Sequence, residues 1–134
     1  MTRIEIAGSR EKPRLTKSEV AAFARRVLLA AGEDIGEVSI AFVDDATMRG
    51  LNRKFRSKNK TTDVLTFPGE DSCEIVISID QAKRQARTEK HSLATELRYL
   101  LLHGILHGLG YDHEADDGEM NALEMEVRAK VGLE

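Results

Sequence analysis

Three of the chain's four histidines stand in one stretch, His103-Gly104-Ile105-Leu106-His107-Gly108-Leu109-Gly110-Tyr111-Asp112-His113. His103 and His107 are separated by about 40° around the axis of an α-helix at 3.6 residues per turn, so their imidazoles stack on one helical face. Gly110 is free to take the left-handed conformation that ends a helix, which lets the chain turn back and carry His113 to the same point. Three neutral imidazoles converging there form a facial set of nitrogen ligands with a fourth position open, the architecture of a catalytic rather than a structural zinc site. A single histidine on an apolar helix is more often a satisfied core residue, and an i, i+4 pair alone is a weak signal. Three of them, with a glycine break between the second and third, are hard to explain by packing. Burying them among leucines would leave several ring nitrogens to satisfy. One Zn²⁺ per chain is therefore the expected cofactor.

Such ligands need a rigid frame. Ser92 is a candidate N-cap for a helix from Leu93 to about Leu109, and its Leu97, Tyr99, Leu100, Leu101, Leu102, Ile105, Leu106 and Leu109 cover most of the circumference, which places that helix in the domain centre. Gly110 stops it, and Glu119 to Val131 forms a last helix. Upstream, the alternation Arg3-Ile4-Glu5-Ile6 reads as a half-buried strand. Thr16 with Glu19 is a capping box opening a helix, built on Val20, Phe23, Ala24, Val27 and Leu28 and closed by Gly32. Val38 to Val43 is a second strand, and Met48, Leu51, Asn52 and Phe55 mark a short helix after Asp44-Asp45. Arg56 to Asp63 is a loop. Val64 to Phe67 is a strand ended by Pro68-Gly69, and Glu74 to Ile79 is another, with Ile75, Ile77 and Ile79 on one face. Asp80 to Lys90 makes a polar helix. The expectation is an α+β (mixed α/β) fold: one domain over residues 1–134, with a mixed sheet of about four strands packed by helices.

Composition bounds the function. The chain has 134 residues, 41% hydrophobic and 32% charged, ordinary for one globular domain. A net charge of −3 excludes holding nucleic acid by bulk positive charge, though not by a local patch. One cysteine, Cys73, cannot form an internal disulfide and is read as packed or exposed rather than reactive. No apolar run approaches membrane-spanning length and the first residues lack a signal-peptide core, so the expected location is the cytoplasm, with no membrane partner.

Charge is strongly polarised along the chain. Arg49, Arg53, Lys54, Arg56, Lys58 and Lys60 occupy residues 49–60 with no acidic residue among them, whereas Asp112, Glu114, Asp116, Asp117, Glu119, Glu124 and Glu126 fall in residues 112–126 with no basic one. Most charge runs are solvated faces. Beside a metal, however, an acid-free basic segment can hold the phosphates flanking a scissile bond. From charge alone the two readings stand even, with Arg53, Lys58 and Lys60 as the candidate nucleic-acid contacts in the second. Aromatic platforms are scarce, with no Trp, four Phe and two Tyr, so weak base recognition is expected.

The spacing H-x-x-x-H-x-x-G-x-x-H is also that of metzincin proteases, which carry a general-base Glu directly after the first His. Here Gly104 holds that position, so the metal site survives without the peptidase base. The set His103-Gly104, Leu106-His107 and Gly110-Tyr111-Asp112-His113 resembles the signature of the YbeY family of bacterial endoribonucleases. So does Arg56-Ser57-Lys58 followed by Thr62-Asp63-Val64-Leu65-Thr66-Phe67-Pro68, and Glu74-Ile75-Val76-Ile77 matches the next strand. Two positions depart from the family pattern: Gly108 replaces a common Leu, and Cys73-Glu74 stands where Gly-Asp is usual.

The resemblance implies a zinc-dependent, single-strand-specific endoribonuclease acting in small-subunit rRNA 3′-end maturation and ribosome quality control. It further implies His103, His107 and His113 as metal ligands and Arg56 as a critical residue near the metal. A bacterial cytoplasmic setting, and the small ribosomal subunit and the GTPase Era as partners, are implied as well. Two alternatives stay open: a non-catalytic ribosome-assembly factor with a structural metal, and a metallohydrolase acting on peptides. Asp112 is a candidate acceptor for a histidine N–H or a turn cap, Glu96 is read as a helix-surface charge, and His91 as solvent-exposed.

Overall fold

The computed structural model describes residues 2–8, 15–56, 62–111 and 118–133. Along the chain come β1 (Arg3–Ala7), α1 (Lys17–Ala31), β2 (Glu37–Val43), α2 (Asp45–Arg56), β3 (Val64–Gly69), β4 (Ser72–Ser78), α3 (Ile79–Glu89), α4 (Leu93–Gly108) and α5 (Glu119–Val131). The strands form one sheet in the order β1-β2-β4-β3. β1, β2 and β4 are parallel, and β3 runs antiparallel to β4 at the sheet's edge. This is the single-domain α+β fold with a mixed sheet that the sequence pattern predicts. Among the described residues no helix is long and apolar enough to cross a membrane.

The local signals act where the sequence puts them. Thr16 and Glu19 close a reciprocal capping box on α1, and Gly32 ends that helix at φ +70°. Alternation in β2 sends Val38, Ile40 and Phe42 to the same face as Cys73, Ile75 and Ile77 of β4, where α1, α4 and α5 cover them. On the opposite face Met48 of α2 packs with Leu65 and Val76. Leu97, Leu101, Leu102, Ile105 and Leu106 of α4 are almost wholly buried, which makes it the central helix.

Two boundaries differ from expectation. β3 does not end at Pro68-Gly69 but runs through them, and Glu70-Asp71 makes the turn, with Asp71 at φ +53°. Ser78 N–H donates to the Asp63 carbonyl, and alternation along the ladder then turns the backbone of Val64, Thr66 and Pro68 toward the free edge. Pro68 thus stands where no ladder donor is needed. β4 stops at Ser78, whose hydroxyl accepts from Gln81 N–H and opens α3, so Ile79 begins a helix rather than closing a strand.

The contact between α4 and the sheet is unusually close. A Cβ at Gly104 would stand 2.8 Å from Ile75 Cγ2, and one at Gly108 would stand 2.6 Å from Cys73 Sγ and 2.9 Å from Cys73 Cβ. The two departures from the family pattern therefore meet in space: the bulk absent from position 108 of the helix is supplied by Cys73 of the strand. Cys73 is buried, and burial pushes its thiol up to about 11.

Two outcomes follow from that contact. Gly108→Ala should lower stability by up to about 2 kcal/mol in urea unfolding, because overpacking of about 1–3 kcal/mol is only partly offset by a helix-propensity gain of about 1. In a Cys73→Gly background the same change should cost nothing, a coupling of about 1 kcal/mol or more in the double-mutant cycle. The raised thiol pKa leaves stability intact below the ordinary value of 9.0 and removes it as pH climbs from there through about 11. Cys73→Ala should escape that loss of about 2–3 kcal/mol in unfolding measured across the range.

Candidate active site

A cleft of about 540 Å³ lies over the free edge of β3, and its walls come from both faces of the sheet. Asn52 and Arg56 enter from α2 on one side, His103 and His107 from α4 on the other, and Tyr111 from the turn beyond α4. The position of α2 is fixed at its N-terminus. Thr47 N–H donates to Asp44 Oδ1 at 2.8 Å and Asp45 N–H to Asp80 Oδ2 at 2.8 Å. The Arg84 fork takes both Asp45 oxygens at 2.8 Å each. The Thr47 amide holds the Asp44 carboxyl below the usual carboxylate range. With that end anchored and Met48 buried, the basic last turn carrying Arg53, Lys54 and Arg56 projects past the sheet edge.

The two α4 histidines meet as the i, i+4 spacing requires. Their Nε2 atoms are 3.0 Å apart and their ring centroids 4.5 Å apart, at 65°. His103 Nδ1 lies 3.0 Å from Glu124 Oε1 of α5. A carboxylate only accepts, so His103 Nδ1 carries the hydrogen, and in the neutral ring Nε2 is the nitrogen that keeps the lone pair. Two nitrogens bound to one tetrahedral ion at about 2.0–2.1 Å would be about 3.3 Å apart, so the pair fits a shared metal after a shift of a few tenths of an ångström. Among the described residues no third His, Cys, Asp or Glu completes a set that could hold a metal ion with them. His113 and Asp112 lie outside the described residues. The helix ends in a tight turn: Gly110 sits at φ +102°, its N–H donates to His107 O, and Tyr111 N–H reaches back to Leu106 O.

The sequence profile described as Endoribonuclease YbeY matches residues 5–132. The chain belongs to the endoribonuclease YbeY family. Proteins named Endoribonuclease YbeY from Koribacter versatilis and Aquifex aeolicus are 45% and 40% identical to it over 122 and 131 residues. The matches span 89% and 90% of this chain and 80% and 87% of theirs. A solution structure of a Thermotoga maritima protein superposes with a TM-score of 0.68 at 28% identity, covering 96% of this chain and 88% of the other.

Within this YbeY fold, His103, His107 and Arg56 line one cleft. Arg53 is exposed on α2 away from the cleft wall, and Lys58 and Lys60 lie outside the described residues. Two polar residues of the site are absent from the sequence prediction. Glu124 interrupts the buried stripe of Met120, Val127 and Val131 on α5, and Asn52 is buried one turn after Met48. A polar side chain at a core-facing helical position was the available signal in both cases. Gly104 faces Ile75, so a carboxylate there would strike the sheet instead of reaching the histidines, and the peptidase alternative loses its base on steric grounds.

Glu96 and His91 correct their expected settings. Glu96 is buried, not a surface charge, and holds His91 Nε2 at 2.6 Å and Gln85 Nε2 at 2.9 Å. His91 is part-buried and stacks on Tyr99 with ring centroids 5.6 Å apart. This cluster ties α3 to the start of α4 and lies outside the cleft wall. For the site itself, long-range ¹H–¹⁵N spectra of the neutral His103 ring should show the Nδ1–H tautomer. Glu124→Ala should abolish that preference and cost about 1–2 kcal/mol of stability.

Proposed function

We propose that this cleft cleaves single-stranded RNA with the help of a metal ion held by His103, His107 and His113, in the maturation of the small-subunit rRNA 3′ end and in ribosome quality control. The family supplies the coarser statement: its members are endoribonucleases, hydrolases of RNA engaged in rRNA maturation, and this chain is one of them. The observation that carries the finer reading is the histidine pair, braced by Glu124 and set opposite Arg56 across a strand edge.

Three imidazoles and an open position favour zinc. When bound, such an ion supplies Lewis acidity and positive charge at the scissile phosphate. The chain's own groups do the rest. Glu124 holds the His103 ring in the orientation and tautomer a ligand needs. The Arg56 guanidinium, always charged, forks onto the non-bridging phosphate oxygens and stabilises the charge that builds there in the transition state. Arg53, Lys58 and Lys60 hold flanking phosphates, with the small ribosomal subunit and the GTPase Era as partners in the cytoplasm.

The test is cleavage of an end-labelled single-stranded RNA by metal-replete protein beside identically prepared His107→Ala and Arg56→Ala. His107→Ala should lose cleavage, as should the wild type in chelator, and Arg56→Ala should fall about 10²–10³-fold in kcat. Equal cleavage by wild type and His107→Ala would overturn the reading. RNA binding without cleavage by any of them would shift it to an assembly factor with a structural metal.

A further inference from the structure

A second hollow, of about 450 Å³, opens on the α2 side of β3 and shares Arg56 and Thr66 with the cleft. Phe55 and Phe67 complete its wall. Phe67 is seated on the small core of Met48, Leu65 and Val76, and Phe55 rests against it with ring centroids 5.1 Å apart and planes at 71°. The strand thus steadies the Phe55 ring, yet the residue keeps 54% of its surface exposed. Its neighbours on the last turn of α2 are Arg53, Lys54 and Arg56, and Lys54 Nζ stands 5.3 Å from the Phe55 ring centre.

A large aromatic ring exposed on a strongly polar helix turn does nothing for the core. The geometry points to Phe55, backed by Phe67, as a stacking subsite for one unpaired base of the RNA strand, next to the phosphate bound at Arg56. This inference rests on the reading of the cleft as an RNA-cleaving site. Two observations select a nucleotide as the occupant. The hollow and the cleft share Arg56 and Thr66 in their walls, so a strand whose phosphate lies on that guanidinium can carry its neighbouring base to Phe55. The helix turn beside the ring is cationic, with no acidic residue from Arg49 to Lys60, which suits a ligand that carries one negative charge per base; a carboxylate on this face is that of Glu74, paired with Phe67 across the ladder. A base stacking on Phe55 displaces the Lys54 ammonium from the ring and leaves it beside the phosphate of the same nucleotide. Bases within a duplex are stacked on one another and cannot reach this ring unless flipped out, so the subsite selects single strands.

The chain has no tryptophan, so Phe55→Trp places a lone fluorophore in the subsite. A single-stranded oligoribonucleotide should quench its emission, whereas the same strand in a duplex, or ribose 5-phosphate, should not. Phe55→Ala, at a half-exposed position outside the buried core, should raise KM for single-stranded RNA about 10-fold while changing kcat far less, and Phe55→Trp should restore KM. If Phe55→Ala cleaves single-stranded RNA with an unaltered KM, the inference falls. It also falls if the tryptophan stays silent while anisotropy of labelled RNA reports binding. A change in sedimentation of Phe55→Ala with RNA binding intact would assign the ring to a protein contact and overturn it as well. Wild-type protein that binds no RNA would instead overturn the reading of the whole cleft.

Discussion

The near-contact of the α4 backbone with the sheet governs the rest of the molecule. Gly104 and Gly108 place their bare Cα atoms against Ile75 and Cys73, and a single added carbon at either position would collide. The helix therefore lies low across β3 and β4, and because the glycines take the sheet-facing side, His103 and His107 are left at the border of β3. Lifting the helix by the thickness of one side chain would carry the imidazoles away from the edge that Arg56 approaches from the other face. The same contact accounts for Cys73. Its sulfur fills space that a larger residue on the helix would occupy, and burial there keeps it a neutral thiol.

The antiparallel edge strand is the second determinant. In a sheet whose other strands are parallel, β3 leaves one row of backbone groups without a neighbouring strand, and the cleft lies over that row. Both helices that border it are tied down elsewhere: α2 through Asp45 and Arg84 at its far end, α4 through Leu97, Leu101 and Leu102 in the core. The rigid parts of the fold thus hold the side chains, and the sheet edge leaves room for a strand of nucleic acid. Pro68 blunts the same edge against pairing with another protein chain.

Much of this was legible in the residues because local signals agreed with tertiary need. The Thr16–Glu19 box, Gly32 and the all-round apolar surface of α4 act within a few residues of themselves, and the structure uses them as written. What escaped depends on partners distant in sequence. Pro68 reads as a strand terminator until β3 is known to be an edge. Ser78 reads as one more β residue until its hydroxyl caps α3. Glu124 reads as part of an acidic run until α5 lies beside His103. Glu96 reads as a surface charge until His91 and Gln85 close over it. The meeting of Phe55 and Phe67 was equally out of reach of the sequence, because it is a product of packing α2 against β3.

The fold also resolves how a chain of net charge −3 works on a polyanion. Its basic residues on α2 lie on one side of the β3 edge, and of the described acidic residues at the site, Asp63 in the cleft wall accepts from Val64 N–H while Glu124 is engaged with His103 Nδ1. That carboxylate spends its charge on an imidazole N–H instead of repelling phosphate. With a Debye length of about 8 Å at physiological salt, acidic groups elsewhere on the surface are largely screened from a phosphate at the edge. Local arrangement decides the sign of the field at the β3 edge. Glu124 and Arg56 are for that reason complementary: one consumes negative charge behind the histidines and the other offers positive charge in front of them, and the free edge of β3 separates the two.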